Sequence, residues 1–267
     1  IFTGTPGTVT VSHDSGDVPT SGMQFAVDGY VVEGEALTLV PFDAGAALIR
    51  VGDGTPAGAT MTATIDAELT GTAALLKDDL GTLVLTGTNT YTGPTAVFRG
   101  TIEISADENL GAANGFVALG NTATLRTTAS FETDHSVIIG DEGGGAGTIE
   151  TEGAGTVLTL NGAVTEGPFA ADQSTLVKAG AGTLVLTSDG NAYDGGTVIE
   201  AGTLQVGNGG TTGVLPGNVA IAADGTLVFD RSNTYTFAGG ITGEGAVIQQ
   251  GAGTMILTGD STYTGGT

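Results

Sequence analysis

The chain has 267 residues, with 48 glycines, 7 prolines and neither cysteine nor tryptophan; glycine without a period of three and with so little proline excludes collagen. A hydrophobic share of 40% against 13% charged residues excludes a disordered polyelectrolyte. Twenty-nine acidic residues against six basic ones give a net charge of −23, which repels phosphate backbones and anionic lipid, so neither nucleic acid nor direct membrane insertion is expected.

The missing cysteines exclude disulfide staples and suit a chain threaded unfolded through a pore. There is no apolar run of about 20 residues and no signal peptide. Ile1 is not an initiator methionine, so the stretch is expected to derive from a longer protein. Apolar residues nowhere keep a sustained helical spacing, and short Val/Leu/Ile runs between glycines point to strands and turns.

Along the chain, His13, Asp14 and Ser15 are adjacent, so their side chains cannot converge as a nucleophilic relay. Thr60, Thr62 and Thr64, and later Thr88, Thr90 and Thr92, offer alternate hydroxyls, but too irregularly for the flat array of an ice-binding solenoid. Lys77 recurs as Lys178 and is replaced by Gln249 in a third copy; recurrence at repeat spacing speaks against catalysis, and both lysines are expected in solvent. The acidic pairs Asp78-Asp79, Asp107-Glu108 and Asp141-Glu142 fall at expected turns and do not converge on one face. The last pair, with Gly143 to Gly145 behind it, comes nearest to a calcium loop without matching one. His135 beside Asp134 is expected at a surface turn. Gly259-Asp260-Ser261-Thr262 has esterase-like letters that its place in a repeat explains. Tyr91, Tyr193, Tyr235 and Tyr263 each follow Asn-x or Ser-x. They read either as a ladder for stacking sugars or, preferably, as turns in which Asn or Ser bonds the backbone while Tyr packs over a coil edge. No catalytic, cofactor-binding or metal-ligating residue is assigned.

Internal repetition is the strongest signal. Residues 80–95 read LGTLVLTGTNTYTGPT, residues 181–197 AGTLVLTSDGNAYDGGT and residues 252–267 AGTMILTGDSTYTGGT, with starts 101 and 71 residues apart. Inside this runs a shorter beat of Gly-Thr-aliphatic (or Met) at Gly81, Gly100, Gly147, Gly182, Gly202, Gly225 and Gly253. Its steps of 19, 20, 23 and 28 suit one coil and 47 suits two, while 35 implies an insertion near Gly155. Within a beat the faces alternate: Ile102 and Ile104 inward with Glu103 outward, then Leu204 and Val206 inward with Gln205 outward. One coil cannot bury its aliphatic face, whereas stacked coils about 4.8 Å apart pair every backbone group and share a core. The expected fold is an all-β right-handed parallel β-helix with coils of uneven length, about 11–13 of them at roughly 20–25 residues each. One domain, 1–267, is expected: N-terminal coils 1–75, a first repeat unit 76–175, a second 176–246 and a truncated third 247–267.

The run 178–187 (KAGAGTLVLT), then Tyr193, Gly195-Gly196-Thr197 and Glu200 to Leu204, resembles the passenger-associated transport repeat of bacterial autotransporters. Residues 77–105 are similar, with Leu110-Gly111 trailing, and the opening run Gln24 to Tyr30, Gly34 and Leu37-Thr38-Leu39 also resembles such passengers. Asp78-Asp79 and Leu80 stand where the motif has a Gly-rich lead, and Pro94 where it has glycine. The resemblance implies a non-enzymatic stalk of a surface passenger, belonging to an adhesin, exported across the outer membrane, with repeats that assist folding there; the alternatives are a surface that itself binds a host or neighbouring cell and, behind it, a carbohydrate-active β-helix enzyme. It implies as partners the protein's own C-terminal membrane barrel, beyond a motif that Thr267 interrupts, and a receptor on a host or neighbouring cell.

Overall fold

Short strands separated by glycine corners make up almost all the regular structure of the computed structural model, which describes residues 1–42, 45–140, 144–167 and 173–267. The exceptions among the described residues are two 3-10 turns, Pro56–Thr60 and Asp107–Leu110, and no helix is long and apolar enough to cross a membrane. The chain divides into two units, Ile1–Arg126 and Thr127–Thr267.

In the first unit the strands form three parallel sheets. One holds Gly22–Phe25, Ala46–Val51, Ala74–Asp78, Thr95–Val97 and Phe116–Leu119. The second holds Thr8–Val11, Tyr30–Gly34, Thr62–Ile65, Thr82–Leu85 and Gly100–Ile104, and the third Val18–Thr20, Leu37–Leu39 and Leu69–Gly71. Strands consecutive in sequence enter different sheets and pair with the coils before and after, which is a β-solenoid. Because side chains alternate, one register position stacks like on like: Val32, Ile65, Leu85 and Ile104 form one buried column and Ala63, Leu83 and Ile102 its neighbour. Each fully buried Leu or Ile contributes about 1.5–3 kcal/mol. Glu103 faces out beside Arg126, as the alternation requires. At the N-terminal end the ring of Phe2 stacks on Phe25 at 4.5 Å.

The second unit repeats the plan. One sheet holds Gly145–Thr151, Ser174–Ala179, Thr197–Ile199, Val219–Ile221 and Ile241–Gly243. Another holds Phe131–Thr133, Val157–Leu160, Thr183–Leu186, Gly202–Val206, Gly225–Phe229 and Ala246–Gln249. Its central column, Leu158, Leu184, Leu204, Leu227 and Val247, is buried throughout.

Two details of the sequence beat are corrected. Gly253 is not one coil beyond Gly225: its strand, Thr254–Leu257, pairs with Thr234–Phe237, while Gly225–Phe229 pairs with Ala246–Gln249. Gly147 likewise lies in a strand paired with Ser174–Ala179, whereas Gly182 precedes the strand paired with Val157–Leu160. Copies of one motif therefore sit on different faces: the step of 28 is not one coil, and the step of 35, expected to mark an insertion near Gly155, runs from one sheet to another. Register offsets run from 19 residues (Thr82 to Thr101) to 33 (Tyr30 to Ala63). Long coils that carry excursions such as the turn Pro56–Thr60 reduce the number of turns to about ten.

Candidate functional site

Three polar devices recur inside the repeats, each placed by strand alternation and a glycine corner. The first is a buried ammonium. In Ala74–Asp78 the residues of inward parity are Leu75 and Lys77, and both are 0% exposed. Lys77 Nζ donates to the carbonyls of Asp79 and Gly81 in its own corner, and to that of Arg99 in the next coil at 2.9 Å. Lys178, also 0% exposed, donates to Ala179 O at 2.6 Å, Gly180 O at 2.8 Å and Ala201 O, one coil on, at 3.1 Å. Gln249 keeps the pattern within its own corner, Nε2 donating to Gly251 O at 3.0 Å and Gly253 O at 3.4 Å. Burial lowers both ammonium groups from the ordinary 10.5 to about 8, against the pull of Asp79 and Asp78 on Lys77 and of Glu150 on Lys178. The expectation that these lysines lie in solvent is therefore wrong. Three carbonyls converging at each corner supply the acceptors that an ammonium loses with its water.

The corner needs glycine where the next coil crosses it. Gly100 has φ +72° and Gly202 φ +68°, and a Cβ on Gly100 would lie 2.6 Å from the carbonyl oxygens of Asp79 and Gly81. The residue after the lysine strand is left-handed too, Gly180 at φ +77° and Asp79 at φ +69°. Asp79 holds that conformation with its carboxylate, which accepts from Gly54 N at 3.1 Å and Leu80 N at 2.9 Å. Asp78 turns outward to Arg99, bound through Nε at 2.8 Å and Nη2 at 3.0 Å, with Arg50 at 3.7 Å; the Arg99 hydrogen bonds hold its carboxyl below the usual range.

The second device is a buried side-chain amide bridging three coils. Asn89 Oδ1 accepts from Leu69 N at 2.8 Å and Nδ2 donates to Asn109 O at 2.7 Å. Asn191 Oδ1 accepts from Val164 N at 2.8 Å and Nδ2 donates to Val214 O at 2.8 Å. In the third copy Ser261 Oγ accepts from Ile241 N at 3.2 Å. The third device is a hydroxyl pair, Tyr91 with Thr95, Tyr193 with Thr197 at 2.8 Å, and Tyr263 with Thr267. Tyr91 and Tyr193 are buried, and desolvation raises both phenols well above their usual range. They present no face to a sugar, so the packing reading holds, with the rings deeper than a coil edge. Tyr235 differs: its hydroxyl accepts from Leu215 N at 3.1 Å and the Arg231 guanidinium lies 4.5 Å above its ring.

Other candidates disperse. His13 Nε2 contacts Ala36 O at 2.7 Å, away from any relay. His135 is buried rather than at the surface, because it follows Thr133 into the interior, where its backbone N–H reaches Thr133 Oγ1 at 3.1 Å. Thr90 donates to Glu68 and Thr60 to Ala57 O, so the threonine rows form no flat array. Asp107 and Glu108 open a 3-10 turn. Asp141, Glu142 and Gly143 lie outside the described residues, among which no group of three acidic or histidine side chains is placed to hold a metal.

Residues 75–104, 176–206 and 247–267 match the model of the passenger-associated transport repeat. Over 247 residues, 92% of its length, the chain is 48% identical to a protein named adhesin BmaC autotransporter from Brucella suis biovar 1 (strain 1330), and it spans 7% of that relative. No solved structure matches. With 48% identity over 92% of its length to an autotransporter adhesin and three matched repeats, the chain belongs to the exported, surface-exposed passengers of autotransporters that carry passenger-associated transport repeats.

Proposed function

We propose that this segment is a non-catalytic stalk of a surface adhesin, in which the repeats lock coils together once the chain has left the membrane. The observation that carries this reading is the buried ammonium of Lys77 and Lys178, each of which donates to its own corner and to the next coil. The bond from each lysine to the following coil forms only as the two coils stack, and a stacked coil cannot slip back through a pore as an extended strand. The relative's name supports the adhesin reading, and an autotransporter passenger calls for a C-terminal barrel in the full-length protein. Receptor contact is assigned to other parts of the parent protein.

The test is deletion of residues 176–206 from the full-length parent. Protease-resistant passenger at the cell surface, quantified by antibody labelling, is expected to fall, with host-cell binding per displayed molecule unchanged. Unchanged display with binding abolished would make the repeat the contact surface and overturn the stalk reading.

A further inference from the structure

One outward face of the first unit carries an apolar surface that the stalk reading does not use. In the sheet containing Ala74–Asp78, the outward column Leu48, Leu76, Ala96 and Ala118 runs in strict register. Beside it run Ala46 and Ala74, followed by Pro94 and Phe116, which directly precede the paired Thr95 and Val117. Phe98 and Phe116 are exposed. On the other flank Arg50 stands opposite Asp78, and Arg99 closes on the same carboxylate.

This face carries the two most exposed basic side chains of the described residues. Of the six basic residues, Lys77, Lys178 and Arg231 are buried and Arg126 faces Glu103. The side chains of Arg50 and Arg99, 48% and 55% exposed, are thus the most exposed cations, and both lie here. Asp78 is the sole acid among the outward residues of these strands, and two guanidinium groups hold it. The neighbouring sheet of this unit carries Glu33 and Glu103 outward, and the lysine-bearing sheet of the second unit carries Glu150 and Glu200.

We propose that this face docks on the same face of a second copy of the chain. Two molecules of charge −23 repel, and contact is least opposed where no carboxylate is left uncompensated. A flat apolar sheet face is matched by another sheet packed about 10 Å away. The pattern is also self-complementary. A two-fold axis along the strands reverses their order, setting Leu48 over Ala118, Leu76 over Ala96 and Phe116 over Ala46, and bringing Phe98 over the cluster of Asp78 and its arginines. Four strands about 4.8 Å apart and five residues long cover about 300 Å² per copy, under half of the roughly 800 Å² of a stable dimer. The pairing is therefore weak, and it gains force where many copies are displayed side by side.

Sedimentation equilibrium of the 267-residue chain tests this from about 10 µM to about 1 mM protein, at low salt and at about 0.5 M sodium chloride. The mean mass is expected to climb towards the dimer at the high end, more so in high salt because screening relieves the −23 repulsion. Phe98→Asp and Leu76→Glu, each checked for an unchanged circular dichroism spectrum, are expected to hold the chain monomeric. Val198→Glu, on the lysine-bearing sheet of the second unit, is expected to leave association intact. A monomer at every concentration, association weakened by salt, or equal loss in Val198→Glu would overturn the proposal. So would partition of the wild type, but not of Phe98→Asp, onto phosphatidylcholine vesicles, which would make lipid the occupant.

Discussion

The corners at Lys77 and Lys178 solve one problem with different residues. Both bury an ammonium against three carbonyls, and both turn the chain through a left-handed residue before the next Gly-Thr-Leu strand. The second corner does so with Ala179 and Gly180, which need no outside help. The first uses Asp78 and Asp79, and it draws on the coils on both sides: Gly54 N from the coil before holds the Asp79 carboxylate, while Arg50 from that coil and Arg99 from the coil after hold Asp78. The requirement thus lies in the backbone conformation and in the donor inside the corner. Side chains vary where neighbours compensate, so damage to the first corner should spread to residues 50–54, whereas damage to the second should stay local.

The largest effect should come from the core that both corners support. Leu184→Asp buries a carboxylate with no partner in the column Leu158, Leu184, Leu204 and should cost about 4 kcal/mol or more in urea unfolding. Gln205→Asp, at an outward position, loses the bond to Gly207 O and faces Asp230, and should cost only about 1 kcal/mol. Equal costs would break the assignment of faces.

Next, Lys178→Met takes the ammonium donor from three part-buried carbonyls and should cost about 2–3 kcal/mol. Lys178→Gln, which imitates the third copy, should recover part of this through the bonds that Gln249 makes at its own corner. A Gln variant no better than Met would show that charge, not donor geometry, matters at the corner.

The pH dependence sharpens the same comparison. Folding lowers Lys77 and Lys178 from 10.5 to about 8, so between these values the unfolded chain holds more protons than the folded one. The contribution of each lysine to stability therefore rises as pH rises through about 8 to 10.5 and is flat below that window. The stability difference between wild type and either Lys→Met variant should widen over that range, measured by urea unfolding at several pH values. A difference that narrows would contradict the buried site.

A smaller effect than at the lysines is expected from Tyr193→Phe, which removes one hydroxyl pair and should cost about 1 kcal/mol; Tyr91→Phe should match it. Urea unfolding of both variants checks this, and a clear inequality would show that the two repeats do not share the device.

Much of this was legible in the sequence. Alternation within Gly-Thr-Leu-x-Leu gave the solenoid and the facing of Ile102, Glu103 and Leu204, because a half-buried strand obeys a two-residue period. The lysines run against their charge, which points to solvent, and follow their parity, which Lys77 shares with Leu75 and Lys178 with Leu176. Parity alone would have turned both inward. The rotation of motif copies onto different faces was not legible, since it depends on which strands pair. His135 was misread for a similar reason: the turn residues around it are local, but the interior it enters is built by other coils.

The central claim is that the lysine corner holds its coil to the next, and hydrogen exchange on Lys178→Met tests it most directly. Amides of Ser174–Ala179 and Gly202–Val206 are expected to lose protection, while those of Thr62–Ile65 and Thr82–Leu85 in the first unit keep theirs. Uniform loss of protection across both units, or none near residues 174–206, would contradict it.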